Sequence, residues 1–362
     1  MALEDRQLIR MKKVLIIIGT GLAVIISGLF VYIYSSGPEL PADTDKIIDM
    51  TIRSALPELI RGETGIANNG NVNIWYESIS PNDSVKGSII LVMGIANDAL
   101  AWPEYFIKPL LDSGFQVIRY DHRGTGISDW IERWDSNNPY SLGDMANDAI
   151  AVLNKLKIEK VHVIGVSLGG MIAQTMAINH PERIMSLASL MSSGYIEDPN
   201  LEGISTDLVW ELIKLHLKYG LIKTEHNTIK MHISARQLLM GSSQTSLDLK
   251  KISAQVLYNI RKRRGYNAKA SEQHIAATSL SGSRYSSLKQ LHIPTIIIHG
   301  KSDPFIPFKH GIKCAQLIPN SDILLIEGMG HDIPKEFTSP ILKAIIENIK
   351  KVNTPAFSNF TG

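Results

Sequence analysis

A single cysteine, Cys314, occurs in the 362 residues. No disulfide can close within the chain, and this residue says nothing about the redox compartment. An excess of charge of either sign is also missing: 37 Lys and Arg stand against 35 Asp and Glu, a net charge of +2. That balance argues against a basic nucleic-acid-binding surface and against an acidic disordered chain. There are no internal repeats or low-complexity tracts, so a repeat array is excluded. No histidine–carboxylate cluster has the spacing of metal ligands, and Gly165–Gly170 lacks the lysine and spacing of a phosphate loop. No metal and no cofactor are therefore expected. What is abundant is apolar sequence, 44% of the chain, enough for one large domain with a buried core rather than several domains.

From Val14 to Tyr34 the chain reads VLIIIGTGLAVIISGLFVYIY without a charge. As a helix rising ~1.5 Å per residue, it matches a hydrocarbon core of roughly 30 Å. Arg6, Arg10, Lys12 and Lys13 precede it, and Glu39, Asp43 and Asp45 follow. This asymmetry predicts a cytoplasmic segment 1–13, a single transmembrane helix 14–34 and an extracytoplasmic remainder, with Tyr32 and Tyr34 at the far interface. A cleaved signal peptide competes with this reading. Its apolar core should be only about 7–15 residues long, and Tyr34-Ser35-Ser36-Gly37 is a poor cleavage site. Residues 35–64 read as a linker and an amphipathic segment. Within it Ile48, Ile52, Leu56, Leu59 and Ile60 have helical spacing and could pack on the domain or lie on the membrane surface.

Strand and helix patterns then alternate. Strand candidates are Val72–Tyr76, Ser88–Met93, Gln116–Tyr120, Val161–Val166, Met185–Met191, Thr295–His299 and Ile323–Ile326, with helical patterns at Trp102–Asp112, Leu142–Leu156, Leu168–His180 and Ile341–Lys350. The later strands are nearly continuous apolar runs, as expected when helices cover both faces. This predicts an α/β fold: a doubly wound, mostly parallel sheet, mixed if the strand near Val72 is antiparallel. The alternation breaks at 197–286, which reads as helices (Thr206–Tyr219, Thr228–Leu239, Leu247–Arg264) inserted as a cap. The core is thus expected at 65–196 and 287–352, with a tail at 353–362.

The chemistry centres on Val161-His162-Val163-Ile164-Gly165-Val166-Ser167-Leu168-Gly169-Gly170. A strand stops at a serine with glycines two before and two after, and helical sequence starts at once. This is the G-x-S-x-G nucleophile elbow in its strand–turn–helix setting. The sharp turn exposes the hydroxyl, and residues without a Cβ let strand and helix approach. A serine needs a base to take its proton and a third group to orient that base. His331, in the glycine-flanked loop after the last strand, and Asp303, after the strand before it, follow in the order that this elbow predicts. Both stand at carboxyl ends of strands, where open α/β sheets build their sites. His122 is a weaker candidate base, because Asp121-His122-Arg123-Gly124-Thr125-Gly126 reads as a structural turn. Glu327 and Asp332 are substitute acids. Two N–H donors for an oxyanion are expected at Leu168, after the nucleophile, and at Ile95, in the loop after Ser88–Met93.

These residues, with Leu91-Val92-Met93-Gly94, Ala101-Trp102-Pro103, the Val117–Ser128 stretch and Ser281-Gly282-Ser283-Arg284, resemble the α/β-hydrolase superfamily over about Gly65 to Lys350. Within it, the chain is similar to the aclacinomycin methylesterase-like and cofactor-free haloperoxidase-like group. The resemblance implies an α/β-hydrolase fold and hydrolysis of a small-molecule carboxylic ester through an acyl-enzyme. It implies Ser167 as nucleophile, His331 as base, Asp303 as orienter, and Ile95 and Leu168 as the oxyanion hole. Many members of the superfamily have His-Gly where this chain has Met93-Gly94, a change the methylesterase-like group tolerates, and the soluble family pattern lacks the N-terminal apolar run. Cleavage of C–C or amide bonds, peracid formation and ligand binding without catalysis are the rival uses of such a fold. Finally, Arg261-Lys262-Arg263-Arg264 is either a solvated helix face, a contact for anionic lipid head groups, or a group that draws in an anionic ester.

Overall fold

Apolar runs flanked by helical sequence become buried strands. In the computed structural model, which describes residues 2–37, 39–242 and 246–353, they are β1 (Glu63–Asn69), β2 (Val72–Ile79), β3 (Gly87–Val92), β4 (Phe115–Tyr120), β5 (Val161–Val166), β6 (Ile184–Leu190), β7 (Thr295–Gly300) and β8 (Asp322–Ile326). The helices are α1 (Ala2–Ser35), α2 (Thr44–Arg53), α3 (Glu104–Asp112), α4 (Leu142–Lys155), α5 (Leu168–Asn179), α6 (Thr206–Leu215), α7 (Glu225–Leu239), α8 (Leu249–Lys262), α9 (Ala270–Ser281), α10 (Tyr285–Leu288), α11 (Lys309–Leu317) and α12 (Lys335–Lys350). Residues 354–362 of the expected tail lie outside the described residues.

The strands form one eight-stranded sheet in the order β1-β2-β4-β3-β5-β6-β7-β8. The pairs β1–β2 and β2–β4 are antiparallel and all others parallel. One face of the sheet is covered through Leu142 and Met145 of α4, Met171 and Ile172 of α5, and Cys314 of α11. The other is covered through Phe106 and Leu110 of α3 and Ile341 and Ile345 of α12. With both faces covered, every residue of β5 and of β7 is buried, which is why these strands read as unbroken apolar runs.

β1 departs from the expected boundaries, because residues 63–64 belong to the sheet and not to a 35–64 linker. Its sequence, ETGIANN, buries only Ala67 completely, as an edge strand can. α2 accounts for part of the amphipathic segment. Ile48 is fully buried and packs with Ile229 and Ile233 of α7 and Ile252 and Val256 of α8. The segment therefore packs on the cap. Leu59 and Ile60 lie beyond the helix, in an extended stretch whose Leu59 carbonyl accepts from Arg119 Nη2 at 2.7 Å.

In the cap, α6 to α9, the four residues of the basic cluster have different surroundings. Arg263 points inward with a side chain 1% exposed, paired with Asp98 at 3.4 Å and with Asp121, and stacked 4.5 Å over the Trp75 ring. Arg261 pairs with Glu225 at 2.6 Å, and Arg264 stacks 4.5 Å over Trp130. Arg261, Arg263 and Arg264 diverge because they leave the end of α8 and the residues just after it in different directions, each toward its own partner. Arg261, Lys262 and Arg264 remain exposed, whereas the Arg263 guanidinium is withdrawn from that surface.

Arg10–Ser35 of α1 is long and apolar enough to cross a membrane, with a mean hydropathy of 2.7 and none of its most apolar window buried.

The core also contains titratable groups. Burial pushes the His162 imidazole down to about 4. A histidine depressed in the fold is neutral there but takes up a proton in the unfolded chain below ~6.5, so its contribution is present above that pH and lost as pH falls toward the folded value. Replacing His162 by Gln is expected to make stability less sensitive to acid. Between pH 7 and 5 the variant should gain roughly 2 kcal/mol relative to the parent, measured by denaturant unfolding at the two pH values. A constant difference would show that His162 takes up its proton at the same pH in the folded and unfolded chains.

Candidate active site

The loop between β5 and α5 forces Ser167 to φ 58° and ψ −122°, a conformation costly for a residue with a side chain. Surrounding contacts hold it there: Ser167 N–H donates to Leu190 O at 2.8 Å, and Ser192 Oγ donates to the Ser167 carbonyl at 2.7 Å. The turn requires its glycines. A Cβ on Gly165 would lie 2.1 Å from Gly169 O, and one on Gly169 would lie 2.0 Å from Val92 O. β5 and α5 thus come together at a separation that only glycine permits.

The three candidates that are far apart in the chain meet at the carboxyl edge of the sheet. His331 Nε2 lies 2.9 Å from Ser167 Oγ, and His331 Nδ1 lies 2.7 Å from Asp303 Oδ2. Asp303 Oδ1 accepts the Phe305 and Ile306 N–H groups at 2.8 Å each. His299 Nε2 sits 3.3 Å from Asp303 Oδ2. Burial pushes the Asp303 carboxyl upward, but the adjacent His331 and the hydrogen bonds from His299 and His331 outweigh it and hold it below the usual carboxylate range. An ionised Asp303 accepts only, so the proton of His331 resides on Nδ1 and its Nε2 lone pair faces the Ser167 hydroxyl. Ser167 is 5% exposed.

The loop after β3 lies beside the serine. A Cβ on Gly94 would be 3.4 Å from Ser167 Cβ. Among the described residues, neither Ile95 nor Leu168 gives its backbone N–H to an acceptor; Leu168 opens α5, where no intrahelical acceptor exists. The loop is pinned on both sides. His122 Nε2 lies 2.7 Å from Met93 O, away from the base position, in agreement with the reading of this residue as structural. Asp121 holds the same turn by accepting from Ala99 N and Ile127 N at 2.9 and 2.8 Å. On the other side His274 Nδ1 accepts from Ala96 N–H at 3.1 Å, with Ala96 at φ 53°. His274 Nε2 therefore carries the proton and donates it to Arg123 O at 3.0 Å.

Sequence reasoning missed three supports. His274 lies on α9, a cap helix with no motif around it. His299 stands near the end of β7 and could have been flagged by its i, i+4 spacing to Asp303. The loop of His331 is held by carbonyls at the end of α7: His331 N–H donates to Leu239 O at 2.7 Å and Gly330 N–H to Met240 O at 3.0 Å. Backbone carbonyls carry no sequence signal. Glu327 and Asp332 do not enter the relay; Glu327 pairs with Lys301 at 2.8 Å, and Asp332 accepts from Ile333 N–H at 2.9 Å. Arg284, in the motif quoted above, is buried and holds the end of β6 by donating to Ser193 O at 2.8 Å and Gln174 Oε1 at 3.2 Å.

A mixed, doubly wound sheet with a serine elbow after β5 and a helical insertion after β6 defines a class, and the chain belongs to the alpha/beta hydrolase fold family, whose profile matches residues 87–337. Among curated proteins it is similar to the rhodomycin D methylesterase of Streptomyces peucetius, 27% identical over 78% of this chain and 96% of the relative. Among solved structures it is similar to a meta-cleavage product hydrolase from Pseudomonas fluorescens IP01, with a TM-score of 0.62 at 20% identity over 81% of this chain and 98% of the other. It is also similar to an esterase from Exiguobacterium antarcticum, with a TM-score of 0.61 at 21% identity over 81% and 100%.

Proposed function

We propose that this protein is a membrane-anchored serine hydrolase that cleaves a small-molecule carboxylic ester through an acyl-enzyme. The observation that carries this reading is the unbroken hydrogen-bond chain from Ser167 Oγ through His331 to an ionised Asp303. The similarity to a methylesterase favours an ester as the bond cleaved.

In this reading Ser167 Oγ attacks the ester carbonyl while His331 Nε2 takes its proton, and Asp303 stabilises the imidazolium and fixes its orientation. The carbonyl oxygen becomes an oxyanion and accepts from the N–H groups of Ile95 and Leu168. Donors fixed before the reaction stabilise it without reorganisation. His331 then gives the proton to the leaving alkoxide, and the alcohol departs. Water repeats the cycle on the acyl-serine and releases the acid. α1 serves as the anchor, with residues 1–13 in the cytoplasm and the hydrolase domain outside, in keeping with the flanking charges.

The test is active-site labelling of the full chain with a fluorophosphonate, followed by a panel of esters of increasing acyl length. Labelling and ester turnover are both expected, and both should vanish in Ser167→Ala. Absence of labelling in the parent would indicate a ligand-binding protein of the same fold. Labelling without turnover of any ester would point to amide or C–C cleavage.

A further inference from the structure

The cap carries an apolar surface that the proposed reaction does not use. On α6, Val209, Trp210 and Ile213 share one face and are 37%, 45% and 43% exposed. One turn beyond, Leu221 and Ile222 are 67% and 64% exposed. Large exposed side chains clustered in this way mark an interaction site in soluble and membrane proteins alike.

The position of the cluster indicates what covers it. The end of α1 rests on the same part of the cap. Ile33 is the buried residue of that end, 7% exposed, Lys214 of α6 lies 5.5 Å under the Tyr32 ring, and Lys218 Nζ donates to Ser36 O at 3.3 Å. Lys214 is itself neutralised by Glu211 at 2.6 Å. α1, uncovered along its apolar length, thus ends against α6 and the turn that leads to Leu221 and Ile222. Tyr32 and Tyr34 at the foot of α1, and Trp210 on α6, carry the amphipathic rings that favour the head-group boundary of a bilayer. Lys218 and the exposed Lys223 flank the apolar residues, where a snorkelling ammonium group meets lipid phosphates.

We propose that the face formed by Val209, Trp210, Ile213, Leu221 and Ile222 is a second membrane contact, seated in the interfacial layer of the leaflet from which α1 emerges. This rests on the reading of α1 as a membrane span. It turns the cap toward lipid and, with the packing of the end of α1 on the cap, fixes the orientation of the domain on the bilayer. The basic cluster at the end of α8 is not part of this contact.

The experiment uses the full chain in nanodiscs of phosphatidylcholine and phosphatidylglycerol, with a nitroxide attached to one introduced cysteine at a time. The native Cys314 does not interfere, because it is 1% exposed and burial pushes its thiol up to about 11. Labels are placed by Ile222→Cys in the contact, Leu22→Cys in the middle of α1 and Val85→Cys in the exposed loop before β3. Relaxation by oxygen, which partitions into lipid, is compared with relaxation by a water-soluble nickel chelate. Oxygen should dominate at 22 and 222 and nickel at 85. Dominance of oxygen at 22 with nickel at 222 would overturn the contact and leave the span intact. Nickel at 22 would remove the span and the contact with it. Shielding of 222 from both agents, with dipolar broadening between labels, would overturn the lipid contact in favour of a second copy of the chain.

Discussion

His331→Ala is expected to lower kcat for ester hydrolysis by about 10⁶-fold, and Asp303→Asn by about 10⁴-fold, judging from hydrolases with the same relay. The two losses differ for a physical reason. Without the imidazole nothing removes the proton of Ser167, and only binding and the oxyanion donors remain. With Asn at 303 the imidazole survives, but an uncharged amide neither stabilises the imidazolium nor enforces the Nδ1–H tautomer that leaves the Nε2 lone pair facing Ser167 Oγ at 2.9 Å. His331 sits in a loop held by backbone bonds to Leu239 and Met240, so its loss should leave the melting temperature nearly unchanged. The measurement is single-turnover and steady-state kinetics on one activated ester, with thermal unfolding as the control. Residual activity within tenfold of the parent in the His331 variant would remove this histidine as the base.

The second large effect concerns stability. Arg263→Met is expected to destabilise the protein by about 3–5 kcal/mol, because it leaves buried carboxylates without their cation. Asp98 and Asp121 are 4% and 0% exposed. Burial already raises Asp121 to about 6, even with Arg263 and the N–H groups of Ala99 and Ile127 opposing the shift. Combining Arg263→Met with Asp98→Asn and Asp121→Asn should recover a substantial part of the loss, since neutral groups are less costly to bury than unpaired charges. Denaturant unfolding of the three variants checks this. A loss below about 0.5 kcal/mol, typical of surface substitutions, would mean that Arg263 is a solvated residue and that the cap is not tied to the core through it.

Strands β3 to β7 were legible because burial on both faces leaves a run of apolar, β-branched residues that needs no partner to be recognised. β1 was not: an edge strand that fully buries only Ala67 carries little apolar pattern. α9 and α11 escaped for a related reason. Each is a short helix between motifs, and α9 presents no clear apolar stripe, since its buried set includes Gln273 and His274 beside Ala270 and Ala277. The candidate site was legible at Ser167, where the constraint is local: two glycines, a strand and a helix within ten residues. Asp303 and His331 could be named from their places after successive strands, but nothing in the linear order set the 2.7 and 2.9 Å contacts between them. Charge was a partial guide: of four adjacent basic residues three are exposed, whereas Arg263 crosses from the cap to the core.

The sequence by itself determined the class of fold, the elbow serine and the apolar N-terminal helix, because each depends on interactions within a few residues or on simple periodicity. Tertiary structure alone decided which buried groups are paired and which histidine orders which loop. It also decided where the cap meets the end of α1. Those outcomes depend on partners that lie tens to hundreds of residues away, such as Ala96 and His274 or Ser167 and His331. A chain of residue types records the capacity of a side chain to donate, accept or bury itself, whereas the partner is set by the packing of the sheet and the cap.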